Sequence, residues 1–231
     1  MKIRHIFFDL DNTLWDHRKN ARLTLGILFK RYQVEELHQI SFEDFHTAYD
    51  FINEDLWAKI RDEKIDKEYL RKHRFYDSFL KFEIDDFALS QKFENQFLDE
   101  IIAFNEVVPG SIEILDYLKS KNYMLHIITN GFHEVTHRKI DGAKLTKYFE
   151  TVTSADEVGV RKPNPKIFDF ALKLANAEKE ESILIGDDWI ADFLGAQNYG
   201  LDVIFFDVFK EKQALNDIKR IENLIEIKDY L

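Results

Sequence analysis

No cysteine occurs anywhere in the chain, which excludes disulfide bridges and thiolate zinc sites. Only 3 prolines and 8 glycines punctuate 231 residues. That scarcity argues against a disordered or turn-rich all-β protein and favours helices joined by compact connections. No stretch of 18 apolar residues is present, and no long apolar segment opens the chain. Neither a membrane-spanning helix nor a secretory leader is expected, and the chain reads as a cytoplasmic protein with no membrane partner. Basic residues are outnumbered, 32 against 43 acidic, for a formal charge of −11. Such a charge repels nucleic-acid phosphates, so a nucleic-acid polymer is excluded as a partner and small-molecule chemistry is indicated. What is plentiful is apolar and aromatic residues, 45% and 14% of the chain, enough for one good core or for one core plus a smaller satellite.

That apolar material comes in two textures. Residues 3–8, ending in the apolar run Ile6-Phe7-Phe8, read as a parallel strand buried on both faces. Similar runs recur at Met124–Thr129, Thr151–Ser154, Ser182–Gly186 and Asp202–Phe206. They are separated by helical patterns at Ile112–Ser120, His133–Ile140, Pro165–Ala175 and Ile190–Asn198. The alternation predicts an α/β fold, a doubly wound, Rossmann-like parallel sheet whose ligands sit beyond the carboxyl ends of the strands. Between residues 15 and 104 the strand pattern vanishes. Phe42, Phe45, Tyr49, Ile52 and Leu56 recur at helical spacing, as do Phe93, Phe97, Ile101 and Phe104, and Ser41 with Asp44 has the form of a helix-start capping box. The expected organisation is a core of residues 1–14 and 105–231 with a helical cap of residues 15–104, the cap serving as a lid that excludes water and selects the substrate.

The chemical residues fall at strand ends. Asp9-Leu10-Asp11-Asn12-Thr13 follows the first strand, and two carboxylates two residues apart there suit a metal-assisted nucleophile. Asp9 would attack phosphorus and Asp11 would hand a proton to the leaving group. A carboxylate approaches an anionic phosphate only beside a cation, so the pair implies Mg2+. Thr129-Asn130-Gly131 ends the second strand. Thr129 would donate to a phosphate oxygen, and Asn130 would hold either the substrate or the loop. Lys162 precedes Pro163-Asn164-Pro165; Asn164 caps the next helix, Pro165 opens it, and the ammonium outside its start can neutralise both phosphate and attacking carboxylate. Asp187 and Asp188 end the strand at Ile183–Gly186, with Asp192 beyond. Asp187 is the first choice as metal ligand and Asp188 the second, with helix capping as its alternative, while Asp192 would order the loop or support Lys162. His133 and His137 have zinc-pair spacing but no third ligand, so they read as one face of a helix. His5 reads as structural, and Asp16 and His17 are left between substrate contact and hinge.

Taken in order, D-L-D-N-T, T-N-G, R-K-P and G-D-D resemble the four motifs of the haloacid dehalogenase superfamily. The likeness covers essentially the whole core, and the helical insert resembles that superfamily's cap. The resemblance implies an aspartyl-phosphate nucleophile at Asp9 and a general acid/base at Asp11. It implies phosphate contacts from Thr129 and Lys162, a metal held by Asp187 and the backbone carbonyl of Asp11, and a supporting role for Thr13; relatives commonly carry a small hydroxyl residue where Asp188 stands. The residues themselves add Asn130 to the expected phosphate contacts, Asp9 and Asp188 to the expected metal ligands, and Gly131 and Asp192 to the supporting set. The longer stretches I-I-T-N-G-F and E-V-G-V-R-K-P-N-P-K-I-F are similar to the pyrimidine-type 5′-nucleotidase branch. The resulting expectation is a Mg2+-dependent nucleoside monophosphate phosphatase, monomeric or a homodimer, with Trp15 or Trp57 stacking on a base. Sugar-phosphate or phosphoglycolate hydrolysis, sugar-phosphate mutase activity and a non-catalytic metabolite-binding role are the alternatives. A dehalogenase needs neither the metal nor the second carboxylate.

Overall fold

The computed structural model describes residues 2–210 and 217–231. In chain order its elements begin with β1 (His5–Phe8), α1 (His17–Arg31), α2 (Val34–His38), α3 (Phe42–Arg61), α4 (Lys67–Leu80), α5 (Phe87–Glu100) and α6 (Ser111–Ser120). There follow β2 (Met124–Thr129), α7 (His133–Gly142), β3 (Phe149–Ser154), α8 (Ala155–Val158), α9 (Pro165–Leu174), β4 (Ser182–Gly186), a π-helical turn (Trp189–Leu194), α10 (Gly195–Tyr199), β5 (Asp202–Phe206) and β6 (Arg220–Ile221). The chain divides into two compact units, Met1–His17 with Asn105–Leu231, and Arg18–Phe104. No helix among the described residues is long and apolar enough to cross a membrane.

The first unit holds a six-stranded sheet in the order β3-β2-β1-β4-β5-β6, with every neighbouring pair parallel. This is the doubly wound α/β architecture expected from the alternating pattern. The winding reverses at β1, which pairs with β2 on one side and β4 on the other, so the switch-point crevice lies at the carboxyl end of β1. β1 and β4 are buried along their whole length, which is why they show no alternation of apolar and polar residues. The second unit is helical throughout its described elements. Rings of Phe45, Tyr49, Phe75, Phe79, Phe93 and Phe97 pack at centroid distances from 4.9 to 6.1 Å to form its core. Ser41 caps α3 by accepting the Asp44 N–H at 3.1 Å. Inside the bundle Arg74 grips Glu94 with two bonds, of 2.6 and 3.0 Å.

Two departures from the expected pattern have physical causes. β6 is only two residues long, too short to carry a periodic signal. The helix expected over Ile190–Asn198 splits into a π turn and α10, because the Phe193 N–H reaches back five residues to the Asp188 carbonyl at 3.1 Å. Trp189, the first residue of that turn, stacks on Phe193 at 4.4 Å and meets Phe205 edge-on at 5.2 Å.

Two histidines interrupt the apolar strands. His5 of β1 and His126 of β2 are buried, with Nδ1 of the first 3.0 Å from Nε2 of the second, and His126 Nδ1 lies 2.9 Å from the Thr151 hydroxyl. One proton serves the contact between the rings, so protonating both would set N–H against N–H. Burial, helped by His5, pushes His126 down to about 4 from an ordinary 6.5, and burial lowers His5 as well. The unfolded chain therefore binds protons that the folded chain refuses. The contribution of His126 is complete above pH 6.5 and is lost as the pH falls towards 4, amounting to about 3 kcal/mol. Urea unfolding between pH 7 and pH 5 is expected to show falling stability in the wild type. A His126→Gln variant is expected to show a flatter profile; equal slopes in the two proteins would contradict this account.

Candidate active site

Asp9 lies immediately past β1, and its N–H donates to the Ile185 carbonyl of β4 at 2.9 Å. The chain then folds back on itself. Leu14 and Trp15 both donate to the Leu10 carbonyl, and Asn12 (φ 64°) donates to the Trp15 carbonyl at 2.7 Å in a left-handed conformation that asparagine tolerates. This tight loop presents Asp9 and Asp11 at the switch point. Trp15 is wholly buried, which removes it from the base-stacking role considered above.

Lys162 is the centre of the arrangement. Its ammonium, on a side chain only 1% exposed, donates to Asp9 Oδ1 at 2.7 Å, Asp192 Oδ1 at 2.6 Å and the Ile128 carbonyl at 2.9 Å. All three of its protons are thus engaged. Its backbone is clamped by Asn130, whose amide accepts the Lys162 N–H at 2.7 Å and donates to the Lys162 carbonyl at 3.0 Å. Of the two uses open to Asn130 in the sequence, substrate or loop, the geometry supplies the loop. Asn164 caps α9 through the Lys166 N–H at 3.1 Å, with Pro165 in its first turn, so Lys162 enters from just outside that helix. Thr129 is buried and its hydroxyl accepts the Gly131 N–H at 3.0 Å.

Asp187 follows β4 and accepts the Thr13 hydroxyl at 2.9 Å, which gives Thr13 a definite supporting contact. Asp192 uses its second oxygen to accept the Asp188 N–H at 3.0 Å. It comes so close to Gly186 that a Cβ there would stand 2.3 Å from its carboxylate, so only glycine fits at the end of β4. Asp188 itself is exposed. Its Oδ1 accepts the Ile190 and Ala191 N–H groups at 2.8 Å each, the capping alternative, because the π turn begins directly after it.

Asp9, Asp187 and Asp192 each bring an oxygen within 4.8 Å of the others. Three carboxylates share one ammonium, a net deficit of positive charge in a buried place. Burial pushes Asp9 up to about 7, with Lys162 restraining the rise and Asp192 adding to it. Burial raises Asp187 well above the carboxylate range, and the neighbouring Asp9 and Asp192 charges raise it further. Asp192 is raised by burial against the pull of Lys162. For Lys162 burial opposes the charge, but Asp192 and Asp9 outweigh it and hold the ammonium firmly protonated. Oxygen donors with uncompensated charge are the donor set a hard divalent cation requires.

Lys139, which the motifs did not single out, is also at the site. It is buried on α7, donates to Asp11 Oδ1 at 2.6 Å and sits 4.6 Å from the centre of the Trp15 ring. His17 Nδ1 lies 3.6 Å from the same oxygen. Burial opposes ionisation of Asp11, but Lys139, His17 and Lys162 prevail and hold its carboxyl below the usual range. The signal that reveals Lys139 is its place in the buried stripe of α7 with Val135, Thr136 and Ile140. His133 and His137 stack edge to face at 5.1 Å, and His133 Nδ1 lies 3.1 Å from the Ser154 hydroxyl.

Comparison with known proteins agrees with this geometry. The haloacid dehalogenase-like hydrolase family matches residues 6–206, and the chain belongs to that family. Its relatives define the class more closely as a phosphoric monoester hydrolase. The pyrimidine 5′-nucleotidase YjjG of Escherichia coli is 31% identical over 214 residues, covering 92% of this chain and 90% of that protein. The glyceraldehyde 3-phosphate phosphatase of Pyrococcus furiosus is 32% identical over 214 residues, covering 89% and 81%. Among solved structures, the magnesium-bound putative HAD-hydrolase YfnB of Bacillus subtilis shares the fold with a TM-score of 0.88. It is 22% identical and covers 100% of this chain and 99% of that one.

Proposed function

We propose that this enzyme is a Mg2+-dependent phosphomonoesterase that works through an aspartyl phosphate on Asp9, with a nucleoside 5′-monophosphate of the pyrimidine type as substrate. The observation that carries the reading is the joint grip of Lys162 on Asp9 and Asp192 beside the otherwise uncompensated Asp187. A carboxylate at the mouth of the switch-point crevice, with an ammonium beside it, is equipped to meet a phosphate dianion.

Asp9 attacks phosphorus in line with the ester oxygen. As the P–O ester bond breaks, the leaving alkoxide takes a proton from Asp11, which the arriving phosphate dianion, opposing the pull of Lys139 and His17, leaves protonated in the complex, and the alcohol departs. Water then attacks the phosphorus of the acyl phosphate while Asp11 takes its proton, which releases inorganic phosphate and restores Asp9. Lys162 and the Thr129 hydroxyl stabilise charge on the non-bridging oxygens, and the Thr13 bond fixes Asp187. Asp9, Asp187 and, through its backbone carbonyl, Asp11 would hold Mg2+. The ion, when bound, supplies charge neutralisation of the phosphate. Asp192 acts on Lys162 and Asp188 caps the π turn, so neither is given to the metal.

The substrate assignment is supported by the likeness to YjjG and by PynA of Streptococcus pneumoniae, a second pyrimidine 5′-nucleotidase 27% identical over 210 residues. The Pyrococcus phosphatase is as close in identity, which keeps a triose or sugar phosphate as the second reading. The test is phosphate release from nucleoside monophosphates, triose and sugar phosphates and phosphoglycolate. Activity is expected with Mg2+, is expected to vanish in EDTA and to return when Mg2+ is restored. The highest kcat/KM should fall on UMP, dUMP or dTMP. Preference for a sugar phosphate would transfer the assignment to the second reading, and full activity in EDTA would end the metal-dependent one.

A further inference from the structure

The geometry points to Lys139 as a positioning residue that sets the orientation of Asp11 for proton transfer, an inference that rests on the phosphomonoesterase reading above. The two oxygens of Asp11 face different surroundings. Oδ1 accepts the Lys139 ammonium at 2.6 Å and has His17 at 3.6 Å. Oδ2 lies on the side of the Thr129-Asn130-Gly131 loop, 3.2 Å from where a Cβ on Gly131 would stand; the Thr129 hydroxyl is the same distance from that point. One oxygen is therefore tied down, and the other is turned towards the residues that line the phosphate position.

Lys139 can hold that oxygen because it is itself held. Its side chain is 5% exposed, and its ammonium lies over the buried Trp15 ring. Trp15 forms bridges to Asp11 and to Val107, so the ring belongs to the same folded loop as the carboxylate it helps to fix. With Oδ1 held as an acceptor, the proton that Asp11 carries in the substrate complex resides on Oδ2; a carboxyl free to rotate would present it to the leaving oxygen in only a fraction of encounters. One pinned through Oδ1 keeps Oδ2 on the line of transfer.

The test uses two esters that differ in their need for that proton. An alkyl phosphate, such as a nucleoside monophosphate, expels a poor leaving group and depends on the acid; p-nitrophenyl phosphate expels a stable phenolate and does not. In single-turnover release of the alcohol, Lys139→Met is expected to slow the alkyl ester about 100-fold and the aryl ester less than about tenfold, with KM changed by less than about threefold. Lys139→Gln is expected to show the same alkyl-selective pattern if the methionine variant fails to fold. Lys139→Arg should restore the alkyl rate to within about tenfold of wild type. Adding Lys139→Met to Asp11→Asn should cost nothing further, because the group it orients is already gone. Equal slowing of both esters, an effect confined to KM, or additive losses with Asp11→Asn would overturn the proposal. Absence of alcohol release from either ester by the wild type would instead refute the phosphomonoesterase reading.

Discussion

An Asp9→Asn variant is expected to lose turnover by at least about 10⁴-fold while melting no lower than the wild type. The amide has nearly the size of the carboxylate and still accepts from Lys162, so the packing around β1 is retained. It lacks the nucleophilic charge, and an aspartyl phosphate cannot form on it. The stability side follows from the crowding of Asp9, Asp187 and Asp192 within 4.8 Å. Burial has already pushed Asp9 up to about 7, so its ionised form is held at a cost that a neutral amide avoids. Phosphate release together with a thermal melt checks both halves. Near-normal activity with an unchanged melt would remove the covalent mechanism and leave Asp9 as a metal or structural group.

Lys162→Met carries the opposite signature, with activity and stability falling together. The methionine fills similar volume but leaves Asp9 and Asp192 buried without the ammonium that donates to both. Removing one partner from a buried ionic cluster costs about 3–5 kcal/mol, and losing charge stabilisation at the phosphate slows turnover by about 10²- to 10³-fold. Adding Asp192→Asn to the Lys162→Met background is expected to recover part of the stability and none of the activity. Urea denaturation and kcat on the same protein preparations decide the matter. A Lys162→Met protein as stable as the wild type would mean that the cluster does not carry the charge balance assigned to it.

The parts of this molecule that were legible in the sequence are those where burial leaves a mark in residue type. β2, β4 and β5 run over Met124–Thr129, Ser182–Gly186 and Asp202–Phe206, the same spans as their apolar runs, because a parallel strand covered on both faces has no polar side to blur its ends. β3 begins two residues before its expected start, at Phe149, along an edge strand whose side chains are less completely buried. The π turn left no trace, since Ile190, Ala191 and Phe193 fit an α-helix and a π turn equally well. What widens the turn is the pair of acceptors offered by Asp188, its side chain to two N–H groups and its carbonyl to Phe193. Within the site, the chemically typed residues at strand ends could be picked out by position, but their partners could not. Asn130 meeting the Lys162 backbone depends on a loop 32 residues away in sequence, and Lys139 meeting Asp11 spans 128. Such pairings arise from the winding order of the sheet rather than from any local pattern.

The saturation of Lys162 alters how ligand affinity should be understood. With Asp9, Asp192 and the Ile128 carbonyl already occupying its three protons, an arriving phosphate oxygen cannot simply add a bond to it. It must displace an existing acceptor or share a proton with one, so the encounter is an exchange of like for like. Under the mechanism proposed above, exchange yields little ground-state attraction, and it reserves the strength of the ammonium for the moment when negative charge shifts from Asp9 onto the transferring group. On that mechanism the site is expected to hold its substrate and its phosphate product loosely, and to concentrate its preference on the fleeting species between them.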